Sequence, residues 1–430
     1  MKPSTHSRNA LAAAAVAMLL AIFTLATSYG QAPHTPTLKS TVKPGIDVLR
    51  ARGFDLLKGK RVGLITNPTG ISSDFESTID ILNNAEDVKL VALFGPEHGV
   101  RGDIEAGRIV EGYNDAETGL PVYSLYGRTR KPTVDMLHGI DVLVYDIQDI
   151  GVRSYTYISS MGLAMEAAAE NNVRFVVLDR PNPLTGDRVE GPMLDPKFKS
   201  FIGAFPIPYV YGMTAGELAE MINGEGWLAN NVKCNLTVVP VEGWKRSMWW
   251  DETGLPWVPT SPHVPHHWTS MFYVMTGLLG ELGTANQGVG YTMPFELVGA
   301  PWMKGDQFAD YMNAKKLGGV EFRPMYYRPF YFDTTRSQFY GVQIHVVDRE
   351  KVNFISVALH VLEALVTLYP DKDIFERAQS SRISMFDKAT GSDEIRLSMT
   401  KKISVNEILR KIDQQRAPFM IKREKYLIYE

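Results

Sequence analysis

Val91 to Gly102 reads VALFGPEHGVRG. An apolar run ends in Gly-Pro, and Glu97, His98 and Arg101 follow on a glycine-punctuated turn. A carboxyl at the end of a buried strand, beside apolar walls, suits general acid–base work. The plainer reading is a helix-capping or ion-paired glutamate, with Arg101 as partner, and the residues alone leave the two level. A second stretch, DIQDIGVRSYTY from Asp146 to Tyr157, is dense in hydrogen-bonding groups. Asp146 or Asp149 could supply a second carboxylate, and Arg153 a bidentate clamp for an anionic substrate group. Equally, Asp149 and Arg153 stand at helical spacing and could form a structural pair. Tyr155 and Tyr157 either stack on a ring or simply pack. Two carboxyls flanking a bond, or one with a substitute, are what glycosidic cleavage needs. A set rich in Asp, Glu, Tyr, Trp and Asn suits carbohydrate by composition.

The motifs that are missing narrow the chemistry. No G-x-G-x-x-G follows the first strand, and no phosphate loop, G-x-S-x-G elbow or H-E-x-x-H occurs, so no nucleotide cofactor is expected. His263, His266 and His267, in HVPHHW, form the one metal-like cluster. Prolines at 262 and 265 make a stiff turn there rather than a helix that aims two rings together, so sugar hydrogen bonding or plain structure is expected, and no metal. Cys234 is the single cysteine. It lies in NVKCNLTVV, which reads as a strand, so it is a packed small hydrophobe rather than a nucleophile.

Those residues must be held by something. RVGLITN (61–67), KLVALFG (89–95), DVLVYDIQD (141–149) and RFVVLDRPNP (174–183) are continuous apolar runs, the pattern of parallel strands buried on both faces. Helical patterns lie between them, at 74–84 and 159–171, which predicts a doubly wound α/β sheet. Each strand ends in unusual polar residues: Thr66-Asn67-Pro68, Glu97-His98, Asp146 with Gln148 and Asp149, then Asp179-Arg180-Pro181-Asn182. Open parallel sheets bind ligands outside those carboxyl ends. From Trp244 to Trp268 tryptophans, prolines and histidines cluster in what reads as a long ordered loop. Beyond it, EFRPMYYRPFYFDTTRSQFYGVQIHVVD reads as strands and NFISVALHVLEALVTLYP as a helix.

The 430-residue length suggests two domains, and a net charge of -3 implies no nucleic-acid partner. Lys2 and Arg8 precede an apolar segment from Ala10 to Ala26, and small and polar residues follow. That order predicts a secretory signal peptide over residues 1–30 and an exported protein, periplasmic or secreted, with no membrane association once the leader is cleaved. A permanent anchor is the competing reading. Residues 31–43 read as a Pro/Thr/Ser-rich linker. A large exported domain needs no disulfide.

Taken together, FGPEHGVRG, DIQDIGVRSYTY and VLDRPNPLTGDRVEGP resemble the exo-β-N-acetylmuramidase family, formerly a domain of unknown function. The likeness continues through YVYGMTAGELAEMIN, SPHVP and GYTMPFELVGAPW and spans the chain from about Gly45 to Tyr429. It implies an α/β fold with a Rossmann-like N-terminal domain, a smaller C-terminal α/β domain and a cleft between them. The boundary is placed at Ser261–Thr269, giving domains of 44–264 and 265–430. It implies a glycoside hydrolase that releases N-acetylmuramic acid from the non-reducing end of peptidoglycan-derived glycans or muropeptides. Glu97 matches the glutamate of the family's P-E-H-G motif and is the expected catalytic acid, with His98 orienting it and Asp146 as a further catalytic group. Gln148, Asp149, Arg153 and Tyr155 match the second motif, and Asp179, Arg180 and Asn182 the third. Glu190 and Tyr211 follow in E-G-P and Y-G-M-T; with Asn67 and His263 all are expected to bind substrate. Arg101 or Arg153 is expected to pair with the lactyl carboxylate. Two segments depart from the family. His263-Val264 stand where many members have Asn-Met, and Gln287 and Val289 replace a glutamate and an arginine, with Glu281 upstream as a substitute carboxylate. A shifted substrate, a non-catalytic periplasmic sugar-binding protein, or a zinc amidase using His98 and the histidine cluster are the rival readings.

Overall fold

The structure, a computed structural model, describes residues 41–102, 112–331 and 337–430. The expected leader and all but the last residues of the expected linker lie outside the described residues. Within that linker, Val42 is fully buried against Val241 and Trp244, so the ordered fold already begins there.

The strands in chain order are β1 (Arg61–Thr66), β2 (Lys89–Gly95), β3 (Tyr113–Asn114), β4 (Pro121–Ser124), β5 (Val142–Asp146), β6 (Arg174–Leu178), β7 (Glu190–Met193), β8 (Pro208–Val210), β9 (Leu236–Val239), β10 (Leu297–Ala300), β11 (Val320–Tyr327) and β12 (Phe339–Val346). Seven of them form one sheet in the order β3-β4-β2-β1-β5-β6-β9. All its pairings are parallel except the edge pair β3–β4. This is the doubly wound sheet that the apolar runs predict. Alternate residues feed opposite faces: Val62, Leu64, Val142, Val144 and Val176 pack into one core, and Ile65, Leu143, Tyr145, Phe175 and Val177 into another. With both faces covered, runs such as VLVYD and RFVVL have no polar side to show.

Helices form where the periodicity places them, with shifted starts. The first begins at Thr78 rather than residue 74, because the Ser77 side chain accepts from the Ile79 N–H and caps it. The second runs Tyr157–Glu170. Cys234 sits buried just before β9, where burial pushes its thiol up to about 12 and keeps it protonated.

A second sheet, antiparallel in the order β10-β12-β11, belongs to the C-terminal half. The helices Thr269–Leu282 and Phe354–Leu368 contribute Met275, Leu279, Phe354, Leu359 and Leu362 to its core. The stretch 244–268 is the ordered loop expected, broken only by a short 3-10 turn at Trp250–Thr253. The last residues then return to the first half. The Tyr429 hydroxyl donates to Asp179 Oδ2 (2.5 Å) and the Ile428 N–H to Glu217 Oε1 (2.8 Å).

Candidate active site

β2 ends at Gly95, and the chain turns so tightly that His98 and Gly99 adopt φ of 74° and 75° in succession. Gly99 accepts this without penalty, but a histidine in the left-handed region is strained, and such strain persists where surrounding structure imposes it. The turn lifts Glu97 and His98 onto the wall of a cavity of about 560 Å³. The Thr156 hydroxyl donates to Glu97 Oε2 at 3.4 Å. Tyr126 lies beside it; burial first, then the negative charge of Glu97, push the Tyr126 phenol up to about 12, with Arg130 opposing. Glu97 is therefore held by the Thr156 hydroxyl yet faces open space.

The rest of the wall comes from distant parts of the chain. The segment Ser154–Tyr157 forms one side, Ser200–Ile202 another, and Ser261, His263 and Val264 a third. Tyr273 and Glu281 come from the helix Thr269–Leu282, and Met385 and Lys388 from the helix Ser380–Thr390. Among the described residues, Glu97 and Glu281 are the two carboxylates on this wall. Burial raises the Glu281 carboxyl above its ordinary range, against the pull of Arg382. Tyr155 lines the cavity but is fixed: its hydroxyl meets Thr260 Oγ1 (2.7 Å), and its ring lies edge-on to Tyr157 (4.9 Å) and Tyr273 (5.9 Å). His263 Nε2 meets the Tyr331 hydroxyl at 3.1 Å.

Of the residues singled out in the sequence, Glu97, His98, Tyr155, Tyr157, His263, Val264 and Glu281 converge on this cavity. The others do not. Asp146 is fully buried, takes a two-point contact from Arg180 (2.6 and 2.9 Å) and accepts from the Thr78 hydroxyl (2.5 Å). Asp179 accepts from Thr214, Gly216 and Tyr429. Asn182 bridges the Met213 carbonyl and the Leu184 N–H. Glu190 accepts from Arg188 (2.7 Å) and from the Ile355 N–H (3.1 Å), tying the two halves. Asn67 accepts from Thr69 within its own turn. Gln148 donates to the carbonyls of Asp149 and Pro181, and Tyr211 donates to Asp149 (2.6 Å). Burial pushes both Asp149 and Asp179 up to about 6.

Two placements remove the expected partners of an anionic substrate. Arg101 is paired in two-point geometry with Asp115 (3.0 and 2.9 Å). Arg153 is fully buried and donates to the carbonyls of Pro192, Ile207 and Ala389 at 2.6 to 3.0 Å. Burial lowers its guanidinium to about 10. It is a structural tie, and the Asp149–Arg153 pair that the spacing allowed does not form. The three clustered histidines separate. His263 faces the cavity, His266 stacks on Trp268 (4.3 Å), and His267 lies edge-on to Trp257 and Trp268. Among the described residues, no group of three or more His, Cys, Asp or Glu side chains could hold a metal ion.

Tyr126, Arg130, Thr156 and Lys388 escape the sequence reading. Tyr126 and Arg130 follow β4, whose sequence PVYS is too short and mixed to stand out as a strand. Had it been recognised, the strand-end rule would have named them. Lys388 carries no local signal, since only tertiary packing brings its helix to the cavity.

Models of a known family match both halves of the chain: "Exo-beta-N-acetylmuramidase NamZ, N-terminal" over residues 62–268 and its C-terminal counterpart over 271–429. The chain belongs to the exo-β-N-acetylmuramidase family. It is 43% identical over 412 residues to the peptidoglycan β-N-acetylmuramidase NamZ of Bacillus subtilis (strain 168), covering 96% of this chain and 97% of that protein. Two crystal structures of DUF1343 family proteins from Bacteroides fragilis NCTC 9343 share the fold. One has a TM-score of 0.86 at 50% identity and the other 0.73 at 30%; each comparison covers 91% of this chain and 99% of the other. Within the exo-β-N-acetylmuramidase family the two departures fall in different places. His263 and Val264 line the main cavity. Gln287 and Val289 line a separate cavity of about 320 Å³ beside Arg382, so they do not face the space that Glu97 faces.

Proposed function

We propose that this protein is an exo-acting β-N-acetylmuramidase, a glycoside hydrolase that removes N-acetylmuramic acid from the non-reducing end of peptidoglycan-derived glycans, with Glu97 as its general acid. The observation that carries the catalytic assignment is the placement of Glu97: on the wall of the large cavity, held by the Thr156 hydroxyl and sharing that wall with Glu281. Glu97 protonates the glycosidic oxygen as the bond breaks. Glu281 is the second carboxylate, acting on the oxocarbenium-like state or on the attacking water. Aromatic walls from Tyr155, Tyr157, Phe201 and Tyr273 supply apolar faces for the sugar ring and exclude water from the reacting bond. We further propose that the protein acts outside the cytoplasm, on the strength of the charged, apolar and small-residue order of residues 1–30.

The test is product analysis on a defined peptidoglycan-derived oligosaccharide with N-acetylmuramic acid at its non-reducing end. Release of that single sugar, with the remaining glycan shortened by one residue at a time, is the expected result. Internal cleavage, or binding without any release, contradicts the proposal. The mass of the mature protein tests the leader.

A further inference from the structure

We propose that Arg130 reads the lactyl carboxylate of the muramyl ring and so sets the preference of this site for an acidic sugar; the inference rests on the muramidase reading above. The large cavity holds, among the described residues, two cationic side chains besides its histidines, Arg130 and Lys388. Among the described residues, neither forms an ion pair with a carboxylate. That sets them apart from Arg101 and Arg180, which are consumed by Asp115 and Asp146. A guanidinium that lines a void without an acidic partner is placed to take one from a ligand, and its planar fork matches a carboxylate in two-point geometry.

Arg130 is also held in position. Its guanidinium carbon lies 4.4 Å from the centroid of the Phe201 ring, which lines the same cavity, so stacking limits its freedom before substrate arrives. The location suits the sugar. The Phe201 ring that Arg130 stacks on also lies against the Tyr126 ring (centroids 6.5 Å apart), and both line the cavity with Glu97. In a pyranose, the carbon that bears the leaving oxygen and the carbon that bears the lactyl ether are separated by one ring atom. A group acting on the first and a group reading the second must therefore line one cavity, as Glu97 and Arg130 do. Lys388 comes from the last turn of the helix Ser380–Thr390, and its ammonium is a point charge without the planar fork by which Arg130 matches a carboxylate.

The experiment compares a chromogenic β-N-acetylmuraminide with its lactyl methyl ester, which keeps the shape and removes the charge. The wild type, Arg130→Met, Arg130→Lys and Lys388→Met are assayed on both. The expected wild-type preference for the acid in kcat/KM is about ten- to a hundred-fold, the range of a charge-assisted contact. Arg130→Met abolishes that preference mainly through KM on the acid and leaves turnover of the ester intact, which also shows that the variant folds. Arg130→Lys restores part of the preference. An unchanged acid-to-ester ratio in Arg130→Met, or a ratio lost in Lys388→Met instead, overturns the assignment while leaving the muramidase reading in place. No turnover of either substrate by wild type removes the muramidase reading and this inference with it.

Discussion

Two sets of strand ends in one sheet carry similar residues and do different work. At the ends of β1, β5 and β6, the polar groups close on one another. Arg180 clasps Asp146, the Thr66 hydroxyl donates to the Asp146 carbonyl, and the Gln148 N–H donates to the Thr69 hydroxyl. The crevice between β1 and β5, where the strand order reverses and such sheets often bind ligands, is thereby filled from within. At the ends of β2 and β4, Glu97 and Arg130 face a cavity of about 560 Å³. The density of acidic and basic residues does not separate the two regions; what separates them is whether their hydrogen-bonding capacity is already spent. A buried charge must be paired or bonded, so the richer motif is largely consumed by structure, with Gln148 Oε1 and Asp149 Oδ2 left as its unpartnered atoms.

Substitutions on the closed side should cost stability and spare chemistry, and the open side should do the reverse. Asp146→Asn leaves Arg180 buried without its counter-charge, and denaturant unfolding should show a loss of about 3 to 5 kcal/mol, with turnover per folded molecule retained. A smaller effect is expected in the pH dependence of stability. The Asp149 carboxyl is raised from 3.8 to about 6 by burial. Between those values the folded state holds a proton that the unfolded chain has released. The stability tied to this proton is complete below pH 4 and is lost as pH rises through 6. Asp149→Asn removes that dependence, so wild type should lose about 2 to 3 kcal/mol relative to the variant between pH 4 and pH 7. Equal slopes in the two proteins would show that Asp149 ionises alike in both states. On the open side, Thr156→Val deletes the hydroxyl that donates to Glu97, and turnover should fall about ten-fold with stability nearly unchanged. Least of all, Arg101→Ala should change turnover by less than about two-fold and stability by about 1 kcal/mol, since Arg101 is partly exposed and the buried Asp115 keeps the Thr118 N–H and hydroxyl as donors. A large activity loss there would return Arg101 to the substrate.

The sheet was legible because its strands are buried on both faces, and a side chain that meets hydrophobic neighbours above and below leaves a continuous apolar run, as in β1, β5 and β6. β4 was not legible: four residues with mixed burial make no pattern, and with it went Tyr126 and Arg130. Glu97 could be read because it follows a clean strand directly. Asp146 and Asp179 looked equally placed, but whether a strand-end carboxylate faces a void or a guanidinium depends on Arg180, Thr214 and Tyr429, and the last of these arrives from 250 residues away. The departures at Gln287 and Val289 looked relevant to substrate choice, yet they line another cavity, a matter of tertiary placement that spacing does not encode.

The most direct test of the division is Glu97→Gln, assayed for turnover of a chromogenic β-N-acetylmuraminide and for unfolding on the same sample. The account predicts a loss of about a thousand-fold in turnover with unchanged unfolding. Turnover close to wild type would contradict it, and would mean that the acid of this site is another group.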